Sequence, residues 1–570
     1  MNLTLVLSTM AKVAQTTAVP KVPIPPERFR ELIAAVCEAR YTLVEALRYG
    51  EIEEWDTSRV MDMSKAFEGR EEFDRDISRW DTSRVVSMRN MFAGAHNFDK
   101  PIGRWCVRMV EDMSGMFANA RVFNQPLGTW DVSQVTNMTA MFLGAEYFDQ
   151  ELEAWDVGRV TDMTAMFQGA RRFDRPLESW NVGRVTTMAA MFHGAKTFDQ
   201  PLWDWDVGQV TNLSHMFQGA RAFNYPLESW SVGRVTTMAA MFQGAESFDQ
   251  PLEGWDVGAV TDMSGMFHGA EAFDQALERW NVGAVTTMRD MFHAAEAFDQ
   301  PLERWDVSRV TTMREMFANT TSFDQPLEGW DVSQVTDMGG MFFAATAFDQ
   351  PLEGWDVSRV TTMNGMFWDA WVFNQPLERW NVSRVTNMED MFRGTHRFNR
   401  PLGDWNTSRV TTMQGMFRYA LAFDQPLGTW NTSRVTSMSS MFHGAQAFNR
   451  PLERWDVSRV TTMTEMFRET RAFNQPLERW DVGRVMRMNG MFCQTHAFRQ
   501  RLDKWDVIRL TPNGTCRMFS DARRRPYRQL RRWHLPILTV WNPRLCVAAR
   551  TELELWAEET KTETETSAAA

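Results

Sequence analysis

Tryptophan stands at residues 55, 80, 105 and 130, then every 25 residues to 505, nineteen times without one insertion or deletion. So strict a register excludes a string of unlike globular domains, the ordinary expectation for 570 residues. It calls instead for equal-sized coils stacked in one solenoid, each burying an apolar face against its neighbours. The composition fits one short segment copied many times: 25 Trp and 40 Met against 6 Tyr.

Residues 331–355, DVSQVTDMGGMFFAATAFDQPLEGW, show the unit. With each tryptophan as position 1, the pattern is W-[DN]-V-[SG]-R-V-T-x-M-x-x-M-F-x-G-A-x-x-F-[DN]-Q-P-L-E-x. Leucine at position 23, tryptophan at 1, valine at 3 and methionine at 9 follow leucine-rich-repeat spacing, with the valine at position 6 in the slot usually held by Asn or Cys. The spacing predicts an α/β repeat: a short parallel strand near Trp-x-Val, or alternatively nearer Val-Thr-x-Met, then a short helix. Apolar positions 9, 12, 13 and 16 have helical periodicity, with the threonine at position 7 as its cap. Position 15 is Gly in ten of eighteen units and Asn119, Asn319 or Asp369 in three more, as suits a left-handed residue at a helix end. Position 16 is Ala or Thr except at Arg70, which implies a close backbone contact. The phenylalanine at position 19, from Phe73 to Phe498, returns the chain to the core.

The flanks read differently. Residues 1–26 form a leader ending in Pro20, Pro23, Pro25 and Pro26, and its apolar stretch Asn2–Ala11 lacks the basic residues that precede a secretory core. Over 27–50, Phe29, Leu32, Ile33 and Val36, then Leu43, Val44 and Leu47, recur at helical spacing up to Gly50, which predicts a helical N-terminal cap. The solenoid is expected over 51–510, because Thr511-Pro512-Asn513-Gly514 breaks the register and brings Met518-Phe519 two residues late. A basic flank at 511–550 carries Arg517, Arg523, Arg524, Arg525, Arg528, Arg531 and Arg532, and an acidic tail at 551–570 has the composition of a disordered end. The arginine cluster is better read as a cap paired with that tail than as a nucleic-acid patch.

The phrases WDVSRVTTMNGMF at 355–367 and FNQPLERWNVSRVTNMEDMF at 373–392 resemble the repeat of the BspA-like leucine-rich-repeat surface proteins, a family also found as mycoplasma surface lipoproteins. The likeness covers about four-fifths of the chain, and the entry Tyr49-Gly50-Glu51-Ile52-Glu53-Glu54-Trp55 resembles the family's approach to its first repeat. It implies a secreted or cell-surface repeat protein that engages other macromolecules, without a known enzymatic activity.

Chemistry is sparse. A net charge of −12 and a pI near 5.4 repel nucleic acid over most of the surface. Five irregularly spaced cysteines suggest neither a disulfide ladder nor a zinc site. No apolar run is long enough to span a membrane. Carboxylates at position 2, such as Asp306, Asp331 and Asp356, recur once per coil, whereas an active site needs one unlike constellation. Histidines at position 14 (His193, His268, His293, His443) and 17 (His96, His396, His496) are scattered among coils and read as surface residues. The methionines at positions 9 and 12 read as core. No motif for metal hydrolysis, phosphate or dinucleotide binding is present. Catalytic residues, cofactors and metals are therefore not expected.

The reading is a non-catalytic scaffold for a protein or other macromolecular partner, with a structural envelope protein or an intracellular scaffold as alternatives. The expected partner surface is a concave face where positions 24, 2 and 5 project, carrying Glu303, Glu328, Glu353 and Glu378 beside Arg309, Arg359, Arg384 and Arg409. At position 20, eleven Asp and six Asn exchange, so the shared side-chain carbonyl oxygen is expected to accept locally in an Asx turn before the proline, rather than to bind calcium.

Overall fold

The computed structural model describes residues 22–511 and 514–520, which fall into two compact units, Met1–Ala284 and Val285–Ala570. The leader to residue 21, most of the arginine cluster and the acidic tail lie outside the described residues. No helix among those residues is long and apolar enough to cross a membrane.

The first unit opens with helices α1 (Phe29–Cys37) and α2 (Leu43–Tyr49). Helix α1 buries Phe29, Leu32 and Ile33, with the Phe29 ring edge-on to Trp80 at 5.6 Å. Helix α2 starts at a capping box, in which Thr42 Oγ1 accepts from the Glu45 amide and Glu45 accepts from the Thr42 amide. It ends at Gly50, whose φ of 84° is open to glycine. The helical reading of 27–50 holds in outline, but Leu43, Val44 and Leu47 of α2 are exposed rather than buried.

The repeats of the first unit contain neither the predicted helix nor a strand of more than one residue among the described residues. Each coil makes a single parallel bridge to the next at position 8, from Asp62↔Ser87 to Thr237↔Asp262. It lies in Val-Thr-x-Met, the alternative placement, and not at Trp-x-Val. The helix fails because positions 11 and 15 are both left-handed, as at Asn90 (φ 53°) and Gly94 (φ 73°). The backbone therefore alternates. Met91, Ala93 and Ala95 donate to carbonyls three residues back in their own coil, while Asn90, Phe92 and Gly94 donate to Ser114, Met116 and Ala118 of the next. A helix would spend all these groups internally, whereas this chain of turns spends half of them joining coils. The threonine at position 7 caps nothing, and instead donates to the position-7 carbonyl of the preceding coil, as Thr186 Oγ1 does to Thr161 at 3.1 Å.

Ring ladders run through the core. Trp80 stacks on Trp105 at 6.4 Å, Phe92 on Phe117 at 5.7 Å, and Phe98 on Phe123 at 5.9 Å. From Trp80 to Trp280 each indole also donates to the position-23 carbonyl ahead of the previous tryptophan, as Trp180 Nε1 does to Leu152 at 3.0 Å, while Trp55 Nε1 donates to the Gly50 carbonyl and Tyr41 Oη. This bond accounts for tryptophan at a position that aliphatic side chains fill in other leucine-rich patterns, since the buried indole N–H gains an acceptor in a carbonyl that already takes the amide of the tryptophan three residues on, as Leu152 takes that of Trp155 at 3.0 Å.

The second unit repeats the coil. Position 16 confirms the expected close contact: Thr320, Thr395 and Thr470 are buried, and each hydroxyl donates to a carbonyl of the preceding coil. The stack does not end at residue 510. Gly490, Phe492 and Gln494 donate to Cys516, Met518 and Ser520, each 26 residues on instead of the usual 24, and Phe519 stacks on Phe492 at 5.6 Å. The irregular segment is a two-residue insertion absorbed near Gly514, where a Cβ would press on the Met486 carbonyl.

Candidate functional site

The expected partner residues all lie in the second unit, on a wall running from position 23 to position 7 where buried and exposed residues alternate. Leucine, tryptophan and the two valines point inward, and Glu303, Glu328, Glu378, Arg309, Arg359, Arg384 and Arg409 are exposed, with Glu353 half-buried. Glu353 pairs with Arg379 at 3.5 Å, and Arg359 donates to Gln334 of the preceding coil. Among the described residues, no ion pair holds the other six. Arginine also occupies position 5 in seven consecutive coils, Arg359, Arg384, Arg409, Arg434, Arg459, Arg484 and Arg509, all exposed.

Position 2 stiffens this wall. Asp306 Oδ1 accepts from the Ser308 amide at 3.1 Å, and Asp356 from Ser358 at 3.0 Å. The Ser308 hydroxyl and amide, with Arg309 nearby, hold the Asp306 carboxyl below its ordinary range. The local Asx turn thus sits at position 2, not at position 20. Position 20 accepts between coils: Asp324 Oδ1 takes the Asp349 amide at 2.9 Å and the Gln350 side chain at 3.0 Å. Stacking sets each position-20 amide over the side chain below it, so Asp and Asn serve equally through Oδ1.

The glutamate column at position 24 is interrupted by paired glycines once in each unit. Gly103 and Gly128 open a cleft of about 820 Å³ lined by Pro101, Pro126, Arg104 and Arg175. Gly403 and Gly428 open one of about 510 Å³ lined by Pro426, Pro451 and Arg454.

The histidines depart furthest from expectation. Of the seven named above, only His396 is fully exposed. His443 is buried, with Glu465 at 3.4 Å from Nδ1 and Tyr419 Oη at 3.2 Å from Nε2. Burial and then Arg418 pull its pKa down to about 4, against the opposing pull of Glu465 and Glu469. His293 stands over the turn of the next coil, 3.8 Å from Asp290 Oδ1 and 3.6 Å from Glu315 Oε2. Scattered sequence positions hid this grouping, because position 14 of one coil meets position 11 of the next only once the coil is known to be a chain of left-handed turns.

The family described as a mycoplasma protein of unknown function, DUF285, matches residues 37–155, 141–255, 241–354, 341–450 and 422–533. No curated protein matches. Solved structures that resemble the chain include a TLR13–ssRNA13 complex (9% identity, 76% of each chain, TM-score 0.18) and the APL1 leucine-rich repeat domain (9%, 70% of this chain and 80% of that one, 0.19). A third is the plant peptide hormone receptor RGFR1 with RGF2 (6%, 76% and 86%, 0.21). At these scores nothing transfers from them, and the coil geometry stands by itself.

Proposed function

Because the chain belongs to the DUF285 family of mycoplasma proteins of unknown function, we propose that it is a non-catalytic repeat scaffold that holds an extended protein partner along the charged wall of its second unit. The carrying observation is the exposure of Glu303, Glu328 and Glu378 beside the seven-arginine column, with so few of these charges spent on ion pairs among the described residues. Exposed pairs contribute only about 0 to 1 kcal/mol each, so such columns add little to stability. Their use is recognition: parallel acidic and basic stripes fix a partner's register and speed its encounter. The resemblance of the repeat to surface proteins supports display outside the cell, which localisation of the tagged protein tests.

The binding test is charge reversal. Arg309→Glu, Arg359→Glu and Arg384→Glu together are expected to abolish capture of a partner isolated with the wild-type chain, with the circular-dichroism spectrum unchanged. Trp371, half-exposed and stacked on His396 at 6.0 Å on the turn side, supplies the control. Capture that survives the reversal and is lost with Trp371→Ala refutes the charged wall.

A further inference from the structure

We propose that Asp290, His293 and Glu315 hold one divalent transition-metal ion of the zinc type. Asp290 and Glu315 occupy position 11 of successive coils, with φ of 55° and 54°, and His293 lies at position 14 of the first. Their backbone is fixed, since the Asp290 amide donates to Arg314 at 2.9 Å, the Glu315 amide to Gly339 at 2.9 Å, and the His293 amide to Asp290 at 3.2 Å.

One donor atom from each residue lies within 4.8 Å of the other two. The separations of 3.8 Å and 3.6 Å from His293 Nδ1 to the two carboxylates are too long for hydrogen bonds. They lie near the spacing an ion imposes: ligands about 2.0 to 2.2 Å from a tetrahedral centre stand roughly 3.3 to 3.6 Å apart. A contraction of a few tenths of an ångström brings the two edges from His293 to that spacing, and the edge between the two carboxylates lies within 4.8 Å.

The surrounding groups orient the donors. Arg289 Nε holds Asp290 Oδ2 at 3.1 Å, and Arg314 Nη2 holds Glu315 Oε1 at 3.0 Å, leaving Oδ1 and Oε2 turned toward the imidazole. Asp290 Oδ1 is buried and makes no hydrogen bond. On the far side of the ring, the Asn319 amide sits 3.3 Å from His293 Nε2. The atom facing the ring is Asn319 Nδ2; metal binding requires the amide to turn its oxygen inward, where it accepts Nε2–H and directs the Nδ1 lone pair to the ion, the outer-sphere arrangement usual for a histidine ligand. One nitrogen and two carboxylate oxygens, with a fourth position open to solvent, suit Zn²⁺, Co²⁺ or Ni²⁺. Calcium needs six to eight oxygens, which are not assembled here.

The second unit contains its own comparison. His443 stands over Glu465 in the same relation, at 3.4 Å, but Ser440 replaces the position-11 carboxylate and Arg418 adds positive charge beside the ring. Glu469 lies 3.8 Å from Nε2 and not beside Nδ1, so only Nδ1 and Glu465 Oε2 face one point, and His443 is expected to bind nothing.

The full-length chain, stripped with chelator, is titrated with Zn²⁺ by calorimetry and with Co²⁺ by visible absorption. One equivalent is expected, with a tetrahedral-type cobalt spectrum and a rise in melting temperature at saturation. His293→Ala and, separately, Asp290→Asn, which keeps a side chain tolerant of the left-handed backbone, are expected to weaken binding by at least about ten-fold. His443→Ala is expected to bind as wild type. Absence of a stoichiometric ion, or one equivalent retained by His293→Ala, overturns the proposal. Equal binding of Ca²⁺ overturns the assignment of metal class.

Discussion

The turn ridges of the two units share a backbone and differ in chemistry. In the first unit, position 15 is glycine in every coil from Gly69 to Gly269 except at Asn119, and position 11 carries no carboxylate. In the second, position 15 runs Ala294, Asn319, Ala344, Asp369, Gly394, Tyr419, Gly444, Glu469 and Gln494, and position 11 includes Asp290, Glu315, Asp390 and Glu465. All these residues keep a positive φ of about the same size. The hydrogen bonds between coils therefore dictate the conformation; both units accept the strain of side chains in it at position 11, as at Ala140, His215 and Glu315, and the second unit accepts it at position 15 as well, about 1 to 3 kcal/mol each. What sets the second ridge apart is therefore its side chains at position 15 and its ionisable groups at position 11.

The alternation at position 15 gives the largest expected effect. A Cβ on Gly444 would clash with the Tyr419 ring at Cδ1, whereas a Cβ on Gly194 meets only the Gly169 backbone at 3.8 Å. Gly444→Ala thus combines overpacking with backbone strain and is expected to cost about 3 to 4 kcal/mol, against about 1 for Gly194→Ala, in urea denaturation. Tyr419→Gly should recover most of the difference. Equal costs at the two glycines would show that the ridge tolerates large side chains everywhere.

Next in size is the acid response of His443. Its folded pKa of about 4 lies below the unfolded value of about 6.5, so the unfolded chain binds the proton first. This contribution is fully present above pH 6.5 and is lost as the pH falls toward 4, a change of up to about 3 kcal/mol. Hydrogen exchange of the coils around 443 should weaken over that window, and His443→Gln should flatten the response. A slope unchanged in the variant would assign the acid sensitivity to other groups.

The cores, unlike the ridges, should behave alike. Trp180→Phe and Trp380→Phe each remove an indole donor from a buried leucine carbonyl, at 3.0 Å and 2.9 Å. Each is expected to cost about 1 kcal/mol, because the carbonyl keeps the backbone amide of Trp155 or Trp355. A difference between them above about 1 kcal/mol would mean that the units differ inside as well as outside. This sameness explains what the sequence revealed. The 25-residue register was legible because burial is periodic, and so was the inward set of leucine, tryptophan and two valines, as in Leu352, Trp355, Val357 and Val360. The helix was misread because apolar spacing at positions 9, 12, 13 and 16 suits a chain of left-handed turns as well as a helix, and only the glycine, Asn and Asp at position 15 hinted at the difference. The charged wall was legible residue by residue. The grouping of Asp290, His293 and Glu315 was not, because it depends on how one coil's turn overlies the next.

The smallest effect separates strain from charge on the ridge. Asp390, at φ 51°, is raised above the ordinary carboxylate range by burial, with Arg393 and Arg418 opposing. Burial raises the neighbouring Glu389 too, and the charge of Asp390 adds to that rise. An acid whose folded pKa is raised binds its proton more readily in the folded chain, so its charge destabilises the fold at neutral pH and ceases to do so below the unfolded value of about 3.9. Asp390→Asn removes that charge and keeps a residue suited to the left-handed backbone. It is expected to add about 0.5 kcal/mol at neutral pH, with the gain vanishing in acid. The opposite exchange in the first unit, Asn90→Asp, should lose stability, because Asn90 Nδ2 donates to Glu68 Oε1 at 3.2 Å and a carboxylate there would face another. If Asp390→Asn instead destabilises at neutral pH, the pair with Arg393 at 3.7 Å outweighs desolvation, and the ridge carboxylates of the second unit are stabilising charges.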